Sequence, residues 1–185
     1  MGITSQQAQR VWDKARCLHN HTDVQLALDR LADEITAVLS NENPLIISVM
    51  NGGLIPTGQL LTRLQFPLHV DYIHASRYRG KTTGGALQWS VKPQHELKGR
   101  TVLVVDDILD EGITLEGILA YCQEQQAAKV YSCVLVEKLH ERKYGCQHAN
   151  FVGLQIEDVY VFGFGLDYKG YLRNAPGIFA VDESE

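Results

Sequence analysis

The amino-acid sequence predicts an α/β fold with a mainly parallel central sheet flanked by helices. Three apolar runs, at residues 45–50, 101–106 and 130–136, have the length of strands that are buried on both faces. The first two runs are each followed by a short polar turn and then by a segment with helical spacing. Repeated strand–turn–helix units are typical of a parallel sheet. Because the 185 residues contain no internal repeat and no low-complexity linker, residues 1–185 are expected to form one domain.

The first predicted helix is amphipathic. Residues 22–25, Thr-Asp-Val-Gln, match a capping box, and apolar residues then recur at spacings of three and four as far as Val38. This helix is expected to end near Asn41, before Pro44. The same signals predict the remaining elements: a helix over 54–64 with Pro56 in its first turn, strands over 67–74 and 86–91, a helix over 114–125, and a strand that ends in a glycine-rich turn within 159–168.

Composition narrows the possible partners and compartment. The net charge of −5 disfavours a nucleic-acid partner, because binding to phosphates requires a basic surface. No apolar run approaches the roughly 20 residues that span a bilayer, so no membrane association is expected. The four cysteines show no metal-ligand spacing, which indicates reduced thiols, and the first residues do not resemble a signal peptide. The protein is therefore expected to be cytoplasmic.

The turns after the predicted strands carry the residues with chemical potential. Asp106 and Asp107 are adjacent acids at a strand end, and Asp110 follows before a glycine and a threonine. Acids at this position can bind hydroxyl groups or a metal, while the N–H groups of the helix start can bind a phosphate. The turns at 51–53 and 163–167 and Lys138 are expected at the same sheet edge, where parallel sheets bind ligands. Paired acids alone also fit a phosphoryl-accepting receiver domain or an ordinary solvated turn.

Residues 102–114 resemble the signature of the type I phosphoribosyltransferases. That signature is four apolar residues, two acids, two apolar residues, an acid, a small residue, glycine, any residue and threonine. The sequence Val-Leu-Val-Val-Asp-Asp-Ile-Leu-Asp-Glu-Gly-Ile-Thr matches it at all but one constrained position. The likeness continues in order through Lys138, residues 151–153, 161–163 and 166–168, and Arg173. Within the family, the chain resembles the hypoxanthine-guanine (6-oxopurine) phosphoribosyltransferases over nearly its whole length from Leu45 onward.

This resemblance implies transfer of the 5-phosphoribosyl group from phosphoribosyl pyrophosphate to N9 of hypoxanthine or guanine in purine salvage. Mg²⁺ is the implied cofactor, and Asp110 is the implied general base at the purine N7. The implied binding residues are Asp106, Asp107, Asp110, Glu111, Gly112, Ile113 and Thr114 for the sugar and its 5′-phosphate; Lys138, Tyr160 and Val161 for the purine; Asn51, Gly52, Gly53, Tyr78 and Arg173 for pyrophosphate; and Asp106, Asp107 and Asp167 for the metal.

The resemblance also implies three larger features. The basic loop at 76–85 would form a lid over pyrophosphate, the chain termini would form a small hood over the base site, and the protein would be a homodimer or homotetramer. A non-proline cis peptide is expected between Met50 and Asn51. Two residues depart from the family pattern: Asn51 stands where lysine or arginine is usual, and Glu111 replaces a small hydroxyl residue, so its carboxylate is expected to turn away from the phosphate.

Three alternative functions remain open at the level of sequence. One is an enzyme on the same fold that prefers xanthine. A second is a non-catalytic regulator that senses nucleotides and binds RNA, which the acidic net charge disfavours. The third is an inactive nucleotide-binding protein, which would be favoured if the candidate side chains pointed away from a common cavity.

Overall fold

The computed structural model describes residues 2–77 and 87–182, and these contain four helices and two sheets. The helices are α1 (Ser5–Lys14), α2 (His21–Leu39), α3 (Leu54–Leu61) and α4 (Ile113–Glu124). The strands are β1 (Arg16–His19), β2 (Leu45–Val49), β3 (His69–Arg77), β4 (Leu87–Val91), β5 (Thr101–Leu109), β6 (Lys129–Lys138), β7 (Phe151–Ile156), β8 (Val161–Phe162) and β9 (Ile178–Ala180). Within the described ranges, no helix is both long and apolar enough to cross a bilayer.

The larger sheet has six strands in the order β4-β3-β2-β5-β6-β7. All its neighbouring strands pair in parallel except β3 and β4, which pair antiparallel. The predicted α/β fold with a mainly parallel sheet is therefore confirmed. Since β2 and β5 are central and adjacent, the turns that follow them emerge side by side at the carboxyl edge of the sheet.

Both faces of this sheet are covered. Leu103 and Val105 of β5 pack into a core cluster with residues of α2 and α3, whereas Val102 and Val104 pack into a second cluster with residues of α4. Successive side chains of a strand point to opposite faces, so a strand between two helical layers needs apolar residues at every position. This requirement explains why the run beginning at Val102 is continuous rather than alternating.

The two ends of the chain meet in a second, three-stranded antiparallel sheet, in the order β1-β9-β8. Helix α1 packs against it through Ala8 and Val11, which share a core cluster with Phe162 and Leu172. Phe162 also stacks on Phe179 of β9, with 5.6 Å between ring centroids. Residues 159–168 contain the predicted strand, Val161–Phe162, and the glycine-rich turn that follows it. The expected place of this strand in the parallel sheet was wrong, because it belongs to the small sheet.

Several predicted boundaries also differ from the structure. Helix α2 is capped by Asn20 and Asp23 in a reciprocal capping box, so it begins before the predicted Thr22, and Val38 is exposed rather than on its apolar face. Helix α3 ends at Leu61 rather than at residue 64, and β5 extends to Leu109, beyond the predicted end at residue 106. Helix α1 was missed, although Thr4 and Gln7 form a capping box of the ordinary spacing.

Candidate active site

A cavity of about 350 Å³ opens at the carboxyl ends of β2 and β5. Its walls come from the end of β2 and the turn after it, from Ala75 of β3, from the end of β5 with the start of α4, and from the turn beyond β8. The predicted site residues that line it are Asn51, Gly52, Asp106, Asp107, Asp110, Glu111, Gly112, Ile113, Thr114, Asp167 and Arg173. One cavity thus brings together the implied sugar-phosphate and metal residues and three of the five implied pyrophosphate residues.

Asp106, which is buried, and Asp107, which is half-buried, form the acidic part of this cavity. The Asp106 carboxylate accepts a hydrogen bond from the backbone N–H of Asp107 at 2.9 Å. Burial and the neighbouring charge of Asp107 raise the pKa of Asp106 well above its ordinary value, and burial also raises the pKa of Asp107. A raised pKa means that the surrounding residues do not fully compensate the charge of the ionised carboxylates, so hydroxyl donors or a cation in the cavity would stabilise them.

Arg173 supplies part of that compensation. Its guanidinium donates a hydrogen bond to Asp167 Oδ1 at 2.5 Å, and its Nη1 lies 3.8 Å from Asp107 Oδ2. The same guanidinium donates to the Gly165 carbonyl. Arg173 therefore links the acids of the central sheet to the turn beyond β8, although that turn does not follow a strand of the parallel sheet.

Gly52 allows the turn after β2 to approach Asp107 closely. A Cβ at this position would lie 2.0 Å from Asp107 Oδ2 and 2.4 Å from its Cγ. On the other side, a Cβ on Gly165 would lie 2.2 Å from the Gly52 carbonyl oxygen. The peptide bond between Met50 and Asn51 is cis, as the resemblance predicted. Gly53 is buried behind this turn and is not part of the cavity wall.

The loop between β5 and α4 presents a helix N-terminus to the cavity. Gly112 is the N-cap of α4 and has a left-handed backbone with φ of 79°, which glycine adopts without the cost of a side chain. A Cβ on Gly112 would lie 2.2 Å from the Cys146 carbonyl oxygen, since residues 144–146 pack on the loop and donate backbone hydrogen bonds to the carbonyls of Glu111 and Gly112. Thr114 lies in the first turn and is not the N-cap, so its hydroxyl is not used for capping.

Asp110 is held by two side chains, one from the end of β6 and one from the segment that follows it. Lys138, at the end of that strand, donates to Asp110 Oδ2 at 3.1 Å, and His140 Nε2 lies 2.7 Å from Asp110 Oδ1. Burial raises the pKa of Asp110, but the hydrogen bonds from His140 and Lys138 together lower it by more. The net pKa of Asp110 is therefore below the ordinary value. The carboxylate is therefore ionised at neutral pH, as a general base must be before it accepts a proton.

His140 was missed by the sequence analysis. Its only signal was its position two residues after Lys138, and seven histidines occur in the chain. Its side chain is 5% exposed. In the described part of the chain, Asp110, His140 and Asp158 have potential metal-ligand atoms within 4.8 Å of one another, whereas Asp106, Asp107 and Asp167 do not form such a group. Lys138 and Arg142 already pair with Asp110 and Asp158, so this cluster carries its own cations.

The remaining predicted residues lie outside the cavity wall. Tyr160 is 53% exposed and meets Tyr168 edge-on, with 5.6 Å between ring centroids. Val161 is buried in β8. Lys138 is 8% exposed and reaches the cavity only through Asp110. Tyr78 and most of the predicted lid lie outside the described residues.

Comparison with known proteins identifies the family. The model of the phosphoribosyl transferase domain matches residues 16–169. A hypoxanthine-guanine-xanthine phosphoribosyltransferase of Tritrichomonas foetus is 34% identical over 172 residues, covering 93% of this chain and 94% of the relative. A hypoxanthine-guanine phosphoribosyltransferase of Aquifex aeolicus is 29% identical, covering 92% and 96% respectively. The hypoxanthine phosphoribosyltransferase of Trypanosoma cruzi, solved in complex with the product IMP, has a TM-score of 0.85 at 25% identity and covers 92% of this chain and 95% of its own. The chain belongs to the phosphoribosyl transferase domain family.

Proposed function

We propose that this chain transfers the 5-phosphoribosyl group from phosphoribosyl pyrophosphate to N9 of hypoxanthine or guanine, giving IMP or GMP and pyrophosphate. One observation carries the proposal: a single cavity joins a buried acid and a half-buried acid, a helix N-terminus behind a left-handed glycine, an ionised third acid and an arginine. These groups match the hydroxyls, the 5′-phosphate, the acidic proton of the base and the pyrophosphate of the two substrates. The relatives described above carry the names of enzymes with this activity.

The 5′-phosphate would bind at the start of α4. The first N–H groups of a helix have no partner within the helix, and the helix dipole favours an anion there by typically 0.3–1 kcal/mol, and up to about 2 in favourable sites. The Thr114 hydroxyl would add a further donor. Glu111 is half-buried at the same wall, so its carboxylate must lie away from the phosphate for this site to work.

The acids of the cavity fit Mg²⁺. Mg²⁺ is bound in enzymes by one or two carboxylates together with substrate phosphate oxygens, so it does not need three protein ligands in one cluster. Asp106 and Asp107 would hold it or the ribose hydroxyls, and Asp167 would hold a second ion near pyrophosphate. When bound, the metal supplies positive charge that stabilises pyrophosphate as a leaving group.

Pyrophosphate itself would meet the turn after β2 and Arg173. The backbone N–H groups of Asn51 and Gly52 would donate to it, which compensates for the missing basic side chain at residue 51. Gly53 would support this turn from behind, because its own N–H donates to the Val49 carbonyl at 2.8 Å. The Arg173 guanidinium presents several donors in a plane and suits phosphate oxygens. Tyr78, in the proposed lid, would cover this group and exclude water.

Asp110 and Lys138 would manage the proton of the base. As the bond from C1′ to the pyrophosphate oxygen breaks and the bond from C1′ to N9 forms, the proton on N7 would pass to the Asp110 carboxylate. Lys138 would move from Asp110 Oδ2 to the purine O6, which frees that carboxylate oxygen. Because an ammonium group only donates, Lys138 suits the 6-oxo group and opposes the 6-amino group of adenine.

The purine ring would lie against Tyr160, whose face offers a flat apolar surface. The backbone carbonyl of Val161 would accept from the edge of the base. In this arrangement the small sheet of β1, β8 and β9 with helix α1 would act as the hood over the base site, within a single domain over 1–185. A homodimer or homotetramer in the cytoplasm is part of the same proposal, and sedimentation velocity tests the oligomeric state.

The direct test is to incubate the protein with phosphoribosyl pyrophosphate, Mg²⁺ and each purine in turn, and to measure pyrophosphate and nucleotide. Stoichiometric IMP or GMP and pyrophosphate are expected from hypoxanthine or guanine, and none without Mg²⁺. Absence of pyrophosphate with every purine would overturn the proposal. In that case a gel-shift assay with RNA, with and without nucleotide, distinguishes a nucleotide-sensing RNA-binding regulator from an inactive nucleotide-binding protein.

A preference for xanthine is the second candidate, because the name of the Tritrichomonas foetus relative includes xanthine. Xanthine differs from hypoxanthine by an oxygen at C2, which contacts around the Val161 carbonyl would favour or oppose. The ratio of kcat/KM for xanthine to that for hypoxanthine, measured in the same assay, decides between the two.

A further inference from the structure

The side chain of His140 is buried, although the local sequence gives no hydrophobic reason for it. Its side chain is 5% exposed, while the neighbouring Leu139 is 55% exposed and Glu141 is also exposed. In a segment placed by hydrophobic burial alone, the leucine would be inside and the histidine outside. The segment is instead oriented so that the imidazole reaches Asp110, with 2.7 Å between Nε2 and Oδ1.

The contacts of the ring fix its tautomer. The backbone N–H of Arg142 donates to His140 Nδ1 at 3.0 Å. Because a backbone N–H is always a donor, Nδ1 must carry the lone pair, and the ring proton must be on Nε2. That proton points at Asp110 Oδ1. His140 is therefore a neutral hydrogen-bond donor to an ionised carboxylate, and Asp110 accepts one hydrogen bond on each oxygen.

The charged groups around this pair hold the turn in place. Arg142 pairs with Asp158 at 2.5 Å on the outer side, and it also lies in the electrostatic field of Asp110 and Glu111. On the inner side, Lys138 contacts the other oxygen of Asp110 at 3.1 Å. The two bonds to Asp110 differ in one respect: the Lys138 ammonium has a proposed second acceptor in the purine O6, whereas the Nε2–H of His140 is directed at Asp110.

We propose that His140 is a positioning residue for the general base, whose Nε2–H holds Asp110 Oδ1 so that Oδ2 faces the N7 proton of the purine once Lys138 has turned to O6. This inference rests on the proposed function. His140 does not carry the proton onward, because its Nδ1 already accepts from a backbone N–H and has no capacity to exchange a proton there. Its role is geometric and electrostatic: it orients the carboxylate and favours the ionised form.

The test compares three variants. His140→Leu removes the donor to Asp110. We expect kcat with hypoxanthine to fall roughly 10–100-fold, as is typical when a group that orients a functional residue is lost. The KM for phosphoribosyl pyrophosphate should change by less than about twofold. His140→Gln places an amide N–H near the position of Nε2 and should restore most of kcat. His148→Leu is the matched control, since that side chain is 85% exposed in the same segment; it should behave as wild type.

Two further readouts separate positioning from a merely structural role. The acid limb of the kcat–pH profile should move to higher pH in His140→Leu, because the Asp110 carboxylate loses a donor that lowers its pKa. In an Asp110→Asn background, His140→Leu should cause no further loss of kcat, since residues that act as a unit are not additive. An unmoved acid limb, or a loss that multiplies in the double variant, would overturn the inference.

Folding and the proposed function are controlled separately. If His140→Leu unfolds at a lower temperature than wild type, the comparison of His140→Gln with His140→Asn, whose shorter amide cannot reach Asp110, decides the question. If wild-type protein forms no nucleotide, the proposed function and the positioning role both fail. ¹⁵N NMR of the imidazole tests the pair separately: Nε2–H with an unprotonated Nδ1 is the expected tautomer, and the opposite tautomer overturns the inference even in an active enzyme.

Discussion

Replacing Gly52 with alanine tests the geometry of the cavity most directly. The added Cβ would lie 2.0 Å from Asp107 Oδ2, 2.4 Å from Cγ and 2.8 Å from Oδ1. Non-bonded heavy atoms are stable at about 3.5–4.0 Å, so the turn or the carboxylate must move by about 1.5 Å. The movement also affects Arg173, whose Nη1 lies 3.8 Å from Asp107 Oδ2.

A displacement of about 1 Å in a group that positions a substrate can lower the rate about 100-fold. We therefore expect Gly52→Ala to lower kcat/KM for phosphoribosyl pyrophosphate by roughly this factor, with little change in the midpoint of thermal unfolding, because the carboxylate rather than the backbone is displaced. Steady-state kinetics and differential scanning fluorimetry measure the two effects.

The chain offers two matched glycine controls. A Cβ added at Gly58, in α3, would have no heavy atom of the described residues within 4 Å beyond its own helix. Gly58→Ala should therefore leave kcat/KM unchanged and stabilise the helix by roughly 0.5–1 kcal/mol. Gly53→Ala would place a Cβ 2.7 Å from two backbone carbonyls, of Val49 and Val105, and should impair folding itself. A Gly52→Ala variant with kcat/KM within threefold of wild type would refute the reasoning about the approach of Gly52 to Asp107.

Three other predictions follow from the same contacts. Asp110→Asn should lower kcat by more than tenfold, since general bases contribute roughly 10²–10⁴-fold, without weakening phosphoribosyl pyrophosphate binding in calorimetry; near-normal turnover would exclude this base. Because the Lys138 ammonium can only donate hydrogen bonds, we expect negligible nucleotide formation from adenine. Rates with adenine that are comparable with those with hypoxanthine would contradict this role of Lys138. Asp71 is buried, which raises its pKa, but hydrogen bonds from His95, Tyr72 and Gln94 lower it below the ordinary value. Its ionised form therefore stabilises the fold above about pH 4, and this contribution is lost as pH falls through the lower folded-state pKa. Asp71→Asn should cost about 2 kcal/mol at pH 7, seen as a decrease of roughly 4–8 °C in the unfolding midpoint that shrinks below pH 4; a pH-independent difference would refute the ionic origin.

Local sequence patterns predicted the helices and strands whose residue spacing follows directly from their burial. The strands β2, β5 and β6 were found because strands covered on both faces need continuous apolar residues, and the start of α4 because an acid-rich turn precedes a helical spacing. The exact ends were less predictable. Helix α2 begins at His21 because Asn20 and Asp23 form the reciprocal hydrogen bonds, although Thr22 and Gln25 also fit the pattern of a capping box. The choice between two adjacent capping boxes depends on how the helix packs.

By itself, the sequence determined which residues could carry the chemistry: two adjacent acids at a strand end, a third acid before a glycine, and a lysine that ends the next strand. Only the tertiary structure decided which distant groups meet them. Strand β1 pairs with β9 across almost the whole chain, and this pairing places the turn beyond β8 so that Arg173 bridges Asp107 and Asp167. His140 meets Asp110 across 30 residues of sequence. Periodicity reports only what a residue does within its own helix or strand, whereas such contacts depend on the packing of separate elements, which no local pattern records.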